Sequence, residues 1–228
     1  MDRADYAKAS KAEFLFFLQD ARVRIDSLIE GAIEVAEEVH AGLRREDGQS
    51  LFLETHTWPV AIEVVRHYLS ANRNINGVEV AAAILHDVME DDERILNLYE
   101  SKSYGFDAYL AYRFGSRVQN IASELKIKPL ENFSGATDAE RQAARFYNYC
   151  DILLDSDYDV KAIKLADRLN NMEFIKHLPA HGKVHRYIRE AEDFYLAYSM
   201  LPPKMPAFYA RMRNAYDGLR SLKQLVAA

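Results

Sequence analysis

The segment "RIDSLIEGAIEVAEEVHAGL" sets Ile25, Leu28, Ala32, Val35 and Val39 at spacings of three and four. That is the repeat of a helix with one apolar face. The same period returns along almost the whole chain. In "PVAIEVVRHYLSA", Pro59 suits a first helical turn, and Ile62, Val65 and Leu69 follow on one side. It continues through "GVEVAAAILHDVME", "YGFDAYLAYRFG", "SRVQNIASELKI", "TDAERQAARFYNYCDILL", "DYDVKAIKLADRLNNMEFIKHL", "VHRYIREAEDFYLAYSML" and "AFYARMRNAYDGLRSLKQLV". No stretch alternates apolar and polar residues long enough to argue a sheet, and Gly (9) and Pro (6) are scarce. The spacing predicts an all-α fold of roughly ten helices of ordinary length.

A length of 228 residues suits one large domain. The least regular segments, "RREDGQSLFLETHTW" and "KPLENFSGATD", are too short for an interdomain linker. We therefore expect a single domain over 1–228, with a motif-bearing core at about 25–200 and an N-terminal and a C-terminal helix packed on it. With 49% hydrophobic residues and a mean hydropathy of -0.29, the chain can bury a core without entering a membrane. No apolar run approaches the roughly 18–20 residues that span a bilayer. The N-terminus lacks a signal peptide's basic-then-apolar order. The one cysteine, Cys150, fits a reducing compartment, so the expected location is the cytoplasm. A net charge of -6 argues against a nucleic-acid coat but leaves room for one anionic small molecule.

"AAAILHDVMEDDE" then poses a problem: an apolar helix runs into His86, Asp87, Glu90 and Asp91. On a continuing helix, His86 would lie beneath Glu90 and Asp87 beneath Asp91. The group is either a solvated helix end or a set of metal-ligating and proton-carrying groups. In "VKAIKLADRLNNM", Lys164, Asp167 and Asn171 form one stripe beside the apolar Val160, Ile163, Ala166 and Leu169. A buried carboxylate needs a partner. For Asp167 that is an ion pair with Lys164 or Arg168, or a metal. His56 stands just ahead of the Pro59 helix. Two histidines and two carboxylates suit a divalent ion such as Mn²⁺, Fe²⁺ or Zn²⁺.

These words, in this order, resemble the HD metal-dependent phosphohydrolases, and in particular the hydrolase domain of the RelA/SpoT alarmone enzymes and the single-domain small alarmone hydrolases. The family pattern runs H-x-G-Q-x-R, H-P-x-x-V-A, A-L-L-H-D-V-x-E-D-T, F-G-x-x-V and K-L-A-D-R-L-x-N-M. Here the matching words are "HAGLRR", "HTWPVA", "AAILHDVMEDD", "FGSRV" and "KLADRLNNM", with a fainter echo of E-T-x-x-x-Y in "EAEDFY". The resemblance implies that His56, His86, Asp87 and Asp167 bind Mn²⁺, and that Glu90 and Asp91 orient or deprotonate the attacking water. It further implies that Arg45, with Arg44, Lys164, Arg168 and Asn171, meets the substrate. The implied reaction is removal of the 3′-pyrophosphate of (p)ppGpp, giving GDP or GTP and pyrophosphate, without a synthetase activity. The chain departs from the pattern at Leu43, Thr57-Trp58, Asp92 and "NNMEF", mostly near the nucleotide. Two other readings stay open: hydrolysis of another nucleotide (an adenosine alarmone, NADPH or a nucleoside monophosphate), and a role as antitoxin or regulatory partner.

Overall fold

The structure, a computed structural model, describes residues 7–90, 94–95 and 105–227, with side chains as far as residue 223. Among the described residues there are ten α-helices of eight residues or more and no strand. In chain order they are α1 (Lys11–Asp20), α2 (Ser27–Val39), α3 (Trp58–Ser70), α4 (Gly77–Ile84), α5 (Gly105–Phe114), α6 (Ser116–Leu125), α7 (Asp138–Asp155), α8 (Tyr158–Ile175), α9 (Lys183–Glu190) and α10 (Pro206–Ala227). Capping boxes start three of them, at Ser10/Glu13, Asn76/Glu79 and Thr137/Glu140. In each, the cap oxygen takes an N–H that the helix leaves unpaired. None of the described helices is long and apolar enough to cross a membrane.

The centre of the molecule is α8. Every residue from Val160 to Asn170 is buried. It packs against α3, α6, α9 and α10, while α2 and α3 flank α4, and α1 lies on α3. A helix buried on all sides is ordinarily apolar all round, yet α8 carries Lys161, Lys164, Asp167, Arg168 and Asn170. Each must find its partner inside the protein. Where those partners lie decides the architecture of the site.

Two local features differ from the periodic reading. The second half of "RREDGQSLFLETHTW" is helical: Leu53–Thr57 forms a π turn that runs directly into α3. Its first half is a tight reversal, with Arg44 bridged to Leu51. The other difference is α4, which stops at Ile84 rather than carrying His86 and Asp87 on its face. His86 itself ends the helix, because its Nδ1–H donates to the Ala83 carbonyl at 2.7 Å. In a continuing helix that oxygen would accept the N–H of residue 87, so the side chain competes with the backbone. The chain tightens instead into a 3₁₀ turn, Val88–Glu90.

Candidate metal centre and its cavity

His56 lies in the π turn, a rare widening that recurs at functional sites. Pro59 sits four residues after Thr55 and has no N–H to donate back to the Thr55 carbonyl. That oxygen is buried and still needs a donor. Two side chains from distant segments supply one: Arg45 Nη1 at 3.2 Å and Asn170 Nδ2 at 3.1 Å. Asn170 Oδ1 in turn accepts from Arg45 Nη1 at 3.0 Å and lies 2.7 Å from His56 Nδ1. The Nε2 of His56 thereby faces the opposite way, toward His86.

Released from helical geometry, the neighbours His86 and Asp87 converge, with His86 Nε2 3.0 Å from Asp87 Oδ2. The same carboxylate oxygen lies 2.8 Å from His56 Nε2, and the two Nε2 atoms are 3.1 Å apart. Asp167 Oδ1 completes the group at 3.5 Å from His56 Nε2. The four ligand atoms all fall within 4.8 Å of one another. On its other side, Asp167 Oδ2 pairs with Lys164 Nζ at 2.8 Å, and Oδ1 accepts a short hydrogen bond from Asn171 Nδ2.

The charges show what this cluster requires. Burial works against charge on His86, and the Asp87 carboxylate outweighs it, raising the imidazole to about 9. Burial would raise Asp87, but the His86 and His56 imidazoles hold it well below the usual carboxylate range. Burial likewise opposes ionised Asp167, and the Lys164 ammonium brings it below its ordinary value. Two carboxylates packed this closely repel one another unless positive charge lies among them; a protonated His86 and Lys164 supply it here, and a divalent ion could supply it in the proton's place. The mutual separations of the four ligand atoms are those of neighbouring ligands on one first-row divalent ion, since bonds of roughly 2.1 Å at right angles set ligands about 3.0 Å apart. The donor set fits such an ion.

Through His56, Asp87 and Asp167 the cluster opens onto a cavity of about 850 Å³, with His86 behind them. Its lining carries the cations Arg44, Arg45, Lys126, Lys128, Arg145, Lys164, Arg168, Lys183, Arg186 and Arg189, against the acids Glu46, Asp87, Glu90, Glu131, Asp167 and Glu190. A chain with a net charge of -6 thus concentrates an excess of positive charge around one pocket. Such a pocket attracts anions. Glu90 is open to the cavity's solvent and crowded by protein on its other sides. That crowding, with Asp87 nearby, raises its carboxyl to about 7. Its Oε1 also accepts the Ile127 N–H at 3.2 Å.

The cavity includes each of Arg44, Arg45, Lys164, Arg168 and Asn171, though several have structural partners as well. Besides Thr55 and Asn170, Arg45 donates to Asn171 Oδ1 at 2.9 Å and to Glu46 at 3.2 Å, and its guanidinium lies 4.0 Å from the centre of the Phe174 ring. Arg168 lies 2.7 Å from Glu190 but off the hydrogen-bond line, and it sits over the Tyr187 and Tyr195 rings. Arg44 is exposed and donates to the Gln49 carbonyl. Asp91 lies outside the described residues, as does Asp92. Sequence reasoning passed over Asn170, Arg145 and Lys128. For Asn170 the one signal was an amide beside Leu169 in a helix whose apolar stripe marks it as buried, where an amide must be partnered. His67 is buried and bonded to Tyr158 Oη at 2.8 Å, away from this group. His177, His181 and His185 form no metal-binding group among the described residues.

A family model described as HD domain matches residues 32–197. The chain belongs to the HD domain family. A Synechocystis protein named probable guanosine-3′,5′-bis(diphosphate) 3′-pyrophosphohydrolase is 28% identical over 177 residues, covering 78% of this chain and 20% of its own length. A Streptomyces coelicolor protein named GTP pyrophosphokinase is 27% identical over 206 residues (82% and 21%). A rice (Oryza sativa subsp. japonica) protein named putative GTP diphosphokinase RSH1, chloroplastic, is 24% identical over 155 residues (68% and 16%). This HD-domain chain is of the RelA/SpoT type. It spans between 16% and 21% of the length of these relatives.

Proposed function

We propose that this chain is a Mn²⁺-dependent hydrolase, acting as one domain in the cytoplasm, that removes the 3′-pyrophosphate of guanosine tetra- or pentaphosphate. The products are GDP or GTP and pyrophosphate. The observation that carries this reading is four convergent ligand atoms, three of their residues (His56, Asp87 and Asp167) in the wall of a cavity whose lining has more cations than acids. The name of the Synechocystis relative supports the choice of bond.

His56, His86, Asp87 and Asp167 would hold the ion, which supplies Lewis acidity at a phosphoryl oxygen and brings the pKa of water toward about 7. Glu90 is suited to accept the water's proton, since a base titrating near 7 is half ready at neutral pH and binds the proton well. Asp91 is the second acid of the pair. Charge spreads over the phosphoryl oxygens as the bond breaks, and fixed cations contribute by neutralising it. Lys128, Arg145 and Arg189 have no ion-pair partner among the described residues, so they are available for that work. Lys164 stays with Asp167, where it keeps the ligand ionised. Asn171 bridges Arg45 and Asp167 and so holds the ligand's orientation.

The test is purified protein with Mn²⁺ and a panel of guanosine and adenosine 3′-pyrophosphates, with products resolved by chromatography. Release of intact pyrophosphate from the guanosine compounds is expected. Orthophosphate as sole product, or no turnover on any member, would overturn the proposal.

A further inference from the structure

We propose that Asn170 is a positioning residue that fixes which nitrogen of His56 is free for a metal, and that it does so through the carbonyl oxygen that Pro59 leaves unpaired. The inference rests on the metal-centre reading above. It follows from donor and acceptor chemistry taken one atom at a time. The Thr55 carbonyl can only accept, so the group 3.1 Å from it on Asn170 is the amide NH₂. The amide's other end is then the oxygen, and this agrees with the Arg45 guanidinium, which can only donate, 3.0 Å from it. That oxygen cannot donate to His56, which lies 2.7 Å away through Nδ1. His56 Nδ1 must therefore carry a proton. Whatever state Nε2 takes, it is the nitrogen whose lone pair remains for an ion among His86, Asp87 and Asp167.

The Thr55 and Arg45 contacts hold the two ends of the amide in the same sense. Had residue 59 an N–H in helical register, it could satisfy Thr55, and the Asn170 amide would be held in its orientation by Arg45 alone. Turned over, it would present its NH₂ to both Arg45 and His56 Nδ1, a repulsive pairing with the guanidinium. Asn170 is buried at 6% exposure, so water is poorly placed to substitute for the lost bonds. Partners of this kind on ligating histidines typically govern 10–100-fold in metal affinity.

Three variants of the full chain test the assignment. In Asn170→Leu, a side chain of similar size has no polar atom. In Asn170→Asp, a carboxylate can still accept from His56 Nδ1 and pair with Arg45, while Arg45 Nη1 keeps its bond to Thr55. In Pro59→Ala, an N–H returns to residue 59. Two quantities are read: the protonation of His56 Nδ1 by long-range ¹⁵N–¹H imidazole spectra of metal-free protein, and Mn²⁺ affinity by calorimetry. Wild type should show a protonated Nδ1. The Asn170→Leu variant should lose that proton from Nδ1 and weaken Mn²⁺ binding by about 10–100-fold. The Asn170→Asp variant should keep the protonated Nδ1, with affinity within a few-fold of wild type. For Pro59→Ala, an affinity between the two is expected. A protonated Nδ1 and unchanged affinity in Asn170→Leu would overturn the proposal, as would a wild type whose Nδ1 carries no proton. An Asn170→Asp variant as impaired as Asn170→Leu would overturn it too. Failure of wild type to bind any divalent ion would sink the metal reading on its own, because the metal-free spectrum reports the His56 proton separately.

Discussion

Replacing Lys164 with Met removes one half of an ion pair that is almost wholly out of water. The Lys164 and Asp167 side chains are 6% and 5% exposed, with Nζ and Oδ2 2.8 Å apart. Met keeps most of the volume, so packing against the Tyr149 ring should survive, and the cost is electrostatic. Breaking a buried pair from one side typically costs about 3–5 kcal/mol, because the remaining charge is left without compensation. In a chain of this length each kcal/mol moves the melting temperature by roughly 2–4 °C, so a fall on the order of 10 °C follows for metal-free protein. Two controls make the reasoning exposed to refutation. Saturating Mn²⁺ should recover much of the loss, since a divalent charge beside Asp167 does what the ammonium did. The double variant Lys164→Met/Asp167→Asn should be more stable than Lys164→Met alone, because no charge is then stranded. Thermal denaturation by circular dichroism, with and without Mn²⁺, measures all of these. A single variant within about 1 kcal/mol of wild type, or a double variant less stable than the single, would refute the argument.

Burial lowers both His67 and His40 to about 4, so below the unfolded value of about 6.5 the unfolded chain takes up protons that the folded chain refuses. Stability should therefore fall as pH drops from about 6.5 to about 4. In urea melts His67→Gln should make that slope shallower, the remainder belonging to His40, and an unchanged slope would contradict the assignment. Burial and the Asp87 charge raise Glu90 to about 7 without an ion, and Mn²⁺ beside Asp87 would draw it back down, so turnover should rise with pH at or below that value. In stopped assays Glu90→Gln should lower kcat by about 10²–10⁴-fold with the metal content retained. For Arg145→Gln combined with Lys128→Gln, the KM for the 3′-pyrophosphate substrate should rise by roughly tenfold or more, while Mn²⁺ binding stays the same. A changed metal affinity there would mean that these cations serve the centre and not the phosphates.

The helices were legible because apolar residues at spacings of three and four leave little alternative: α8 buries Val160, Ile163, Ala166 and Leu169, α2 buries Ala32, Val35 and Val39 with Leu28 partly covered, and α3 buries Ile62 and Val65 but leaves Leu69 exposed at the helix end. The residues that converge were legible as well, since His86-Asp87 and Asp167 stood in apolar surroundings that such groups enter only with partners. Local geometry was not. A single side-chain hydrogen bond from His86 to Ala83 ends α4 early, and periodicity has no term for it. Nor did the "FLETHT" stretch declare a π turn, which rests on tertiary bonds to the Thr55 carbonyl from Arg45 and Asn170. The cavity's cations were hidden for another reason. Lys128 comes from the irregular "KPLENFSGATD" and its approach, Arg145 from α7 and Arg189 from α9, and only the packing of those elements brings them to one wall.

Elemental analysis after loading with Mn²⁺ and desalting tests the central claim most directly, applied to wild type and to Asp167→Ala in parallel. A single bound ion per chain in wild type and a large loss in the variant, with the helical spectrum unchanged, is the predicted result. Equal metal in both proteins, or none in wild type, would mean that the meeting of α8 with the His56 turn and the His86-Asp87 turn is not a metal centre.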